Sequence, residues 1–123
     1  MKIGFDYWQV LSHYPDEIRH LINMHRVMGD DVHIISAIGK TRVGTIAGEV
    51  NAIVPMPEHC VHEVVFSKSK ESPELKLAKC QELGIEVFYD DRKDVCDLLN
   101  CHGILTFQVP RQTDTTDLRS ERE

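Results

Sequence analysis

The sequence predicts an α/β domain built on a parallel sheet of five strands. Short apolar runs rich in β-branched residues alternate with longer segments of helical period, which is the pattern of consecutive strand–helix–strand units. The chain has 123 residues, enough for one hydrophobic core. Hydrophobic residues make up 41% of it and charged residues 28%. That composition is ordinary for a globular domain and argues against a disordered, fibrous or membrane-spanning chain.

Five short apolar segments are the predicted strands. Each is rich in Val, Ile or aromatic side chains, as expected for strands that are buried on both faces of a sheet. They span residues 2–5, 32–35, 63–66, 86–89 and 104–109.

Four helices are predicted between the strands, over residues 15–28, 43–50, 72–83 and 92–100. Pro15 suits the first turn of the first helix, and Gly84 suits the end of the third. The second helix is the weakest, because Gly44 and Gly48 each cost roughly 1 kcal/mol of helix propensity relative to Ala.

The composition changes after residue 109. From Pro110 onward the chain is polar, with Leu118 as its apolar exception. The sequence therefore predicts one folded domain, residues 1–109, and a disordered polar tail, residues 110–123.

The net charge limits the kinds of partner. Fourteen Lys and Arg residues against twenty Asp and Glu residues give a net charge of −6, which discourages binding to nucleic acid or anionic lipid. No apolar run approaches the ~20 residues that cross a bilayer, and Asp6 interrupts the early apolar stretch that a signal peptide would need. We expect a cytoplasmic protein without a nucleic-acid or membrane partner, and the sequence leaves a homo-oligomer open.

The cysteines show no disulfide or zinc pattern. No two of them form a C-x-x-C pair, so they are read as reduced thiols that pack as small hydrophobes. A zinc site remains an alternative because the right ligand types occur, although their spacing matches no common zinc module. The residues concerned are His59, Cys60, His62, Cys96, Cys101 and His102.

Polar side chains follow three of the predicted strands. Asp6 ends the first strand, Ser36 the second, and Asp90 with Asp91 the fourth. Ligands of open parallel sheets bind beyond the carboxyl ends of the strands. If the first and fourth strands are neighbours, three carboxylates meet there and repel by several kcal/mol at short range. A hard divalent cation such as Mg²⁺, which prefers oxygen ligands, resolves that repulsion.

Six cationic residues fall in the loops that follow the second, third and fourth strands. These loops share the same edge of the sheet, so they are expected to attract phosphate in spite of the net negative charge. The residues are Lys40, Arg42, Lys68, Lys70, Arg92 and Lys93.

Three segments resemble the haloacid dehalogenase-like superfamily, and most closely its small uncapped phosphatases. They are IGFDYWQVLS (3–12), VHIISAIG (32–39) and KLAKCQELGIEVFYDDRKDV (76–95). The resemblance covers residues 2 to about 108. It implies a Rossmann-like three-layer α/β/α sandwich with strand order 5-4-1-2-3 and no cap domain.

The resemblance also implies catalytic and substrate-binding roles. Asp6 would be the nucleophile that takes the phosphoryl group, and Ser36 would hydrogen-bond the phosphoryl oxygens. Lys76 would neutralise charge on the nucleophile and on the phosphate. Lys79 and Lys70 are alternatives to Lys76, but Lys76 lies nearer the helix N-terminus, which should face the site.

The metal ligands implied by the resemblance come from the same strand ends. Asp6 and Asp91 would bind Mg²⁺ through their carboxylates, and Trp8 would do so through its backbone carbonyl. Asp90 would support a water on the metal or the lysine.

The sequence departs from the resemblance just after the nucleophile. Phosphatases of the superfamily usually carry a second Asp two residues later, as general acid and base, followed by Gly; here Trp8 and Gln9 occupy these positions. Loss of a positioned acid typically costs about 10²- to 10⁴-fold in rate. Val10 and Leu11 fit the family's apolar positions.

Two functions are consistent with these residues and with the resemblance. The first is a slow Mg²⁺-dependent phosphohydrolase that acts on a small-molecule or macromolecular phosphomonoester through phospho-Asp6. The alternative is an inactive relative that binds metal, phosphate or a protein partner. A receiver domain fits poorly, because it needs its acidic pair after the first strand, where Tyr7 follows Asp6.

Overall fold

The computed structural model describes residues 1–112, so the rest of the predicted tail lies outside the described residues. Its five strands form one parallel sheet in the order β3-β2-β1-β4-β5. The strands are β1 Lys2–Phe5, β2 Asp31–Ile38, β3 Val61–Val65, β4 Val87–Asp90 and β5 Leu105–Gln108. This is the predicted order read from the opposite edge, and it confirms that the first and fourth strands are neighbours.

Four helices cover the two faces of the sheet and confirm the three-layer α/β/α sandwich. They are α1 Pro15–Val27, α2 Ile46–Asn51, α3 Ser72–Leu83 and α4 Lys93–Cys101. One apolar cluster joins α1 and α2 to one face, and Ile34 faces it. A second joins α3 and α4 to the other face, and the adjacent Ile35 faces that one, as alternation along a strand requires.

Short helical turns complete the connections. They span Tyr7–Leu11, Lys40–Arg42, Glu58–Cys60 and Ser69–Glu71. The helix ends follow the expected chemistry: α1 begins at Pro15, and Gly84 follows α3 in the left-handed conformation, with φ of 74°. None of the helices in residues 1–112 is long and apolar enough to cross a membrane.

The predicted boundaries differ most from the structure at β2 and α2, and by one or two residues at β3, β4 and β5. The strand predicted over residues 32–35 continues to Ile38, because β3 pairs with it along that length, so Ser36 lies inside β2 rather than at its end. The second helix begins at Ile46, since Gly44 adopts a positive φ of 85°. The Glu63 carboxylate accepts hydrogen bonds from the backbone N–H groups of both residues.

The junction between β1 and β4 is unusually close-packed. Gly4 pairs with Phe88, and a Cβ at Gly4 would lie 2.5 Å from the Phe88 ring. The glycine therefore lets a fully buried phenylalanine pack directly over the strand that ends at Asp6. This contact helps to fix the two strands whose ends carry the acidic residues.

Candidate functional site

Three aspartates meet where β1 and β4 end. Suitable carboxylate oxygens of Asp6, Asp90 and Asp91 all lie within 4.8 Å of one another. The backbone N–H of Asp6 donates to the backbone carbonyl of Tyr89 at 2.9 Å, so the hydrogen bonds between β1 and β4 continue as far as the cluster. All three side chains are buried. The parallel pairing of the two strands is thus what brings the carboxylates together.

Lys76 of α3 reaches the cluster from the neighbouring layer. Its ammonium Nζ lies 2.6 Å from Asp90 Oδ2 and 3.1 Å from Asp6 Oδ1, and the side chain is buried. The two alternatives left by the sequence lie elsewhere: Lys79 pairs with Glu82 on the surface, and Lys70 is exposed. Lys76 is therefore the lysine that contacts the carboxylates.

Asp90 is held differently from the other two aspartates. One of its oxygens accepts from Lys76, and the other accepts from the backbone N–H of Arg92 at 2.9 Å. Both oxygens of this carboxylate are engaged. The geometry suits Asp90 to orienting the lysine, and it leaves Asp6 and Asp91 better placed to face the cavity.

Burial and crowding make the cluster electrostatically costly. Burial raises the pKa of Asp6 well above its usual range, Lys76 opposes that rise, and the charges of Asp90 and Asp91 add to it. Burial and the Asp90 charge also raise the pKa of Asp91. Burial alone would lower the pKa of Lys76, but its two aspartate partners outweigh burial and raise it. Three buried carboxylates thus meet the Lys76 ammonium, which pairs with two of them, and the Arg111 guanidinium, which pairs with Asp91. When all three are ionised, they carry one negative charge more than these two cations, and that excess favours a bound cation.

Arg111 approaches the same cluster, although the sequence placed it in the tail. Its Nε lies 3.3 Å from Asp91 Oδ2. The preceding residue, Pro110, accepts a hydrogen bond from the Tyr14 hydroxyl at 2.5 Å, and Gln112 donates to the Gln9 side chain at 3.0 Å. The two hydrogen bonds join positions 96 and 103 residues apart, so no local sequence pattern pointed to them.

The loop after Asp6 has an irregular backbone. Gln9 has φ of 64°, the one positive φ at a non-glycine residue among residues 1–112, and its side chain is buried. This is the position where the resembled phosphatases carry Gly, which adopts such a conformation without strain. Trp8 is 49% exposed, and its indole packs edge-on against His13 with ring centroids 4.6 Å apart.

A cavity of about 620 Å³ opens above the cluster. Its wall includes residues at or just after the carboxyl end of each of the five strands, with cationic, hydroxyl and aromatic side chains. Those that matter for the chemistry are Asp6, Asp91, Lys76, Ser36, Ser72, Trp8, Arg42, Arg92 and Arg111. Of the six loop cations predicted to face this edge, Arg42 and Arg92 line the cavity, whereas Lys40, Lys68, Lys70 and Lys93 are absent from its wall.

The zinc alternative is not supported by the geometry. Within residues 1–112, the three aspartates form the one group of three or more such side chains that is close enough to hold a metal. His62 instead contacts His33 at 3.0 Å, and Cys60 is a buried free thiol. The four cysteines are all free, as the sequence predicted.

The fold and the site define a parallel α/β domain with a buried acidic cluster and a paired lysine at the carboxyl edge of its central strands. The chain is similar to proteins named class B acid phosphatase. It is 26% identical over 118 residues to the one from Salmonella arizonae, 25% to that of Salmonella typhi, and 24% over 117 residues to that of Enterobacter sp.. Each similarity covers 94% of this chain and 48% of the relative, so the chain spans about half the length of the curated relatives it matches. No family model matches the sequence.

Proposed function

We propose that this chain is a metal-dependent phosphomonoester hydrolase of the haloacid dehalogenase-like type, with Asp6 as its nucleophile. The observation that supports the proposal most directly is the position of Asp6, which directly follows β1. Its carboxylate lies within 4.8 Å of the Asp91 carboxylate and 3.1 Å from the ammonium of Lys76. A nucleophile, a second metal ligand and a fixed cation thus meet at one point. The similarity to class B acid phosphatases supports the same class of reaction.

The donor set fits Mg²⁺. The carboxylates of Asp6 and Asp91 and the backbone carbonyl of Trp8 are the oxygens that would hold it, and hard divalent cations prefer oxygen ligands. The three carboxylates carry one negative charge more than Lys76 and Arg111 together, and this excess supplies the reason for a cation to bind. When bound, the ion would supply charge neutralisation to the phosphoryl oxygens.

The chain's own residues then carry the covalent chemistry. An Asp6 oxygen attacks phosphorus and forms a P–O bond while the bond to the substrate oxygen breaks, and the leaving group departs with that electron pair. Lys76 stabilises the charge on the transferring group, and Ser36 donates a hydrogen bond to it. Attack of water on the aspartyl-phosphate then releases inorganic phosphate and restores the Asp6 carboxylate.

The presence of Trp8 in place of an acid determines which substrates react well. An indole has no proton that titrates in a useful range, so it cannot protonate the leaving group. Substrates whose leaving groups are stable as anions therefore react faster than simple alkyl phosphates. The cavity of about 620 Å³ is far larger than a phosphoryl group, which favours a bulky substrate or a macromolecular one.

An inactive binding protein is the second candidate, and a specific feature favours it. Trp8 and Gln9 replace the two residues that follow the nucleophile in the resembled phosphatases, while the metal-binding carboxylates are kept. Such a chain would still bind a divalent cation and phosphate without turnover.

Hydrolysis of p-nitrophenyl phosphate with Mg²⁺ separates the two candidates. We expect turnover by the wild-type chain, loss of turnover in Asp6→Asn, and retention in Asp16→Asn, which alters an exposed aspartate on α1. Thermal stabilisation by Mg²⁺ without any turnover would favour the binding protein instead.

A further inference from the structure

The N-terminal end of α3 faces the cavity with one side of the helix. Ser69, in the turn before α3, together with Ser72 and Lys76 lines the cavity wall. Residues spaced three and four apart lie on the same helical face, so these side chains form one row that leads toward Asp6.

The Ser72 hydroxyl is a buried polar group without a partner. Ser72 is 1% exposed, and its Oγ makes no hydrogen bond within the part of the chain that the structure describes. Ser69 differs, because its Oγ accepts from the Arg92 guanidinium at 3.2 Å. A buried hydroxyl without a partner lowers the stability of a fold, so its presence calls for a ligand that satisfies it.

The backbone around Ser72 gives the hydroxyl a particular role as a donor. α3 continues the helical turn Ser69–Glu71, and the start of that turn is already capped, because the Glu71 carboxylate accepts from the backbone N–H groups of Ser67 and Lys68. The backbone N–H of Ser72 donates to the Ser69 carbonyl, and Pro73 has no backbone N–H, so the hydroxyl is the group that Ser72 can offer to a ligand. That ligand meets a hydroxyl donor with the Lys76 ammonium one turn further along α3, and an anionic oxygen is the chemical group that fits both.

We propose that Ser72 binds the substrate's phosphoryl group, its hydroxyl donating a hydrogen bond to one non-bridging oxygen. This rests on the proposed function, since Asp6 must be the residue that receives that group. Ser72 and Lys76 on α3 and Ser36 on β2 then hold the phosphoryl oxygens from two layers of the sandwich. The unpaired hydroxyl is thereby a cost to the ligand-free fold that phosphate binding removes.

The test is Ser72→Ala, with inorganic phosphate as the probe. Calorimetric titration of the Mg²⁺-loaded chain should show phosphate binding about ten- to a hundred-fold weaker, the loss typical of a hydrogen bond to a charged group. The melting temperature of the ligand-free variant should stay the same or rise, because a buried unpaired hydroxyl has been removed. Ser67→Ala is the control, because Ser67 is exposed and lies outside the cavity wall, and its phosphate affinity should change little.

The outcomes separate this inference from the function it rests on. Wild-type phosphate affinity in Ser72→Ala, with hydrolysis intact, overturns the role of Ser72 and leaves the proposed function standing. A lower melting temperature with unchanged phosphate affinity assigns Ser72 a structural role and overturns the inference as well. A wild-type chain that neither binds phosphate nor hydrolyses an aryl phosphate overturns both.

Discussion

At the scale of single residues, Trp8 is the one that sets the sharpest limit on the proposed reaction. Its indole lines the cavity at the position where the resembled phosphatases carry an acid. Lys76 Nζ nevertheless lies 3.1 Å from Asp6 Oδ1, the contact on which the proposed phosphoryl transfer to Asp6 depends. For the proposed reaction, the chain therefore holds the groups of the first step and lacks the proton donor that would assist it.

Trp8→Asp tests this division directly. We expect it to raise the hydrolysis of alkyl phosphates by about 10²-fold or more, and that of p-nitrophenyl phosphate much less, because the alkoxide needs a proton and the nitrophenolate does not. Steady-state kcat/KM for the two substrates gives the comparison. Trp8→Phe keeps an aromatic ring without an acid and should not reproduce the gain. Equal gains on both substrates would contradict a role for position 8 in protonation.

His62 provides a pH-dependent test away from the acidic cluster. Burial lowers the pKa of His62 below 6.5, and the facing His33 charge adds to that effect. The unfolded chain therefore takes up a proton on His62 at a pH where the folded chain does not. The contribution of His62 to the free energy of unfolding consequently falls as the pH drops through 6.5.

The measurement compares wild type with His62→Gln by urea unfolding between pH 8 and 5. The stability of the wild type relative to the variant should decline as the pH falls through this window. His20→Gln, which alters an exposed histidine on α1, controls for general effects of charge. A constant difference between wild type and His62→Gln across the window is the result that counts against the shift.

At the scale of elements, the close contact between β1 and β4 is the feature on which the site depends. Gly4→Ala would place a Cβ 2.5 Å from the Phe88 ring. We expect a loss of about 1–3 kcal/mol in unfolding free energy, because a buried ring and the backbone must shift to make room. Gly48→Ala is the contrasting substitution: it lies in α2 with open space around it and should gain about 0.5–1 kcal/mol.

Urea midpoints at constant m-value report both glycine variants. If Gly4→Ala proved as stable as the wild type, the packing between the two strands would be looser than the structure shows. Metal affinity in Gly4→Ala should also decrease, because the strand ends that carry Asp6 and Asp91 would no longer be fixed relative to one another.

The elements that the sequence predicted well are those with local signals. Pro15 and Gly84 mark helix ends by their own backbone chemistry, and both ends were placed correctly. The extension of β2 to Ile38 escaped prediction, because it depends on pairing with β3. Arg111 escaped it for the same kind of reason, since its position beside Asp91 arises from contacts with a distant loop. Features that depend on neighbouring residues can be predicted from one sequence, whereas contacts between distant segments cannot.

Over the whole molecule, a cation bound at the buried acidic cluster would link stability to metal concentration. A ligand that binds the folded state alone stabilises it by RT ln(1 + [L]/Kd), about 2.7 kcal/mol at a hundred times Kd. Mg²⁺ should therefore raise the unfolding free energy, and Asp91→Asn should abolish most of that rise by removing one ligand. Asp97→Asn, on the surface of α4 and paired with Lys93, should keep the full effect.

Chemical unfolding with EDTA, Mg²⁺, Mn²⁺ or Ca²⁺ measures this linkage. The identity of the most effective cation would also show which metal the site prefers. Equal stabilisation of wild type and Asp91→Asn would mean that the cation binds elsewhere on a chain of net charge −6.

The chain contains a single tryptophan, and it is the half-exposed Trp8 at the cavity wall. All of the protein's indole fluorescence therefore originates beside the groups proposed to bind metal and phosphate. Occupancy of the cavity should change the emission wavelength or intensity without any added label. Rapid-mixing fluorescence of the unmodified chain could then time the arrival of a ligand and the departure of product separately.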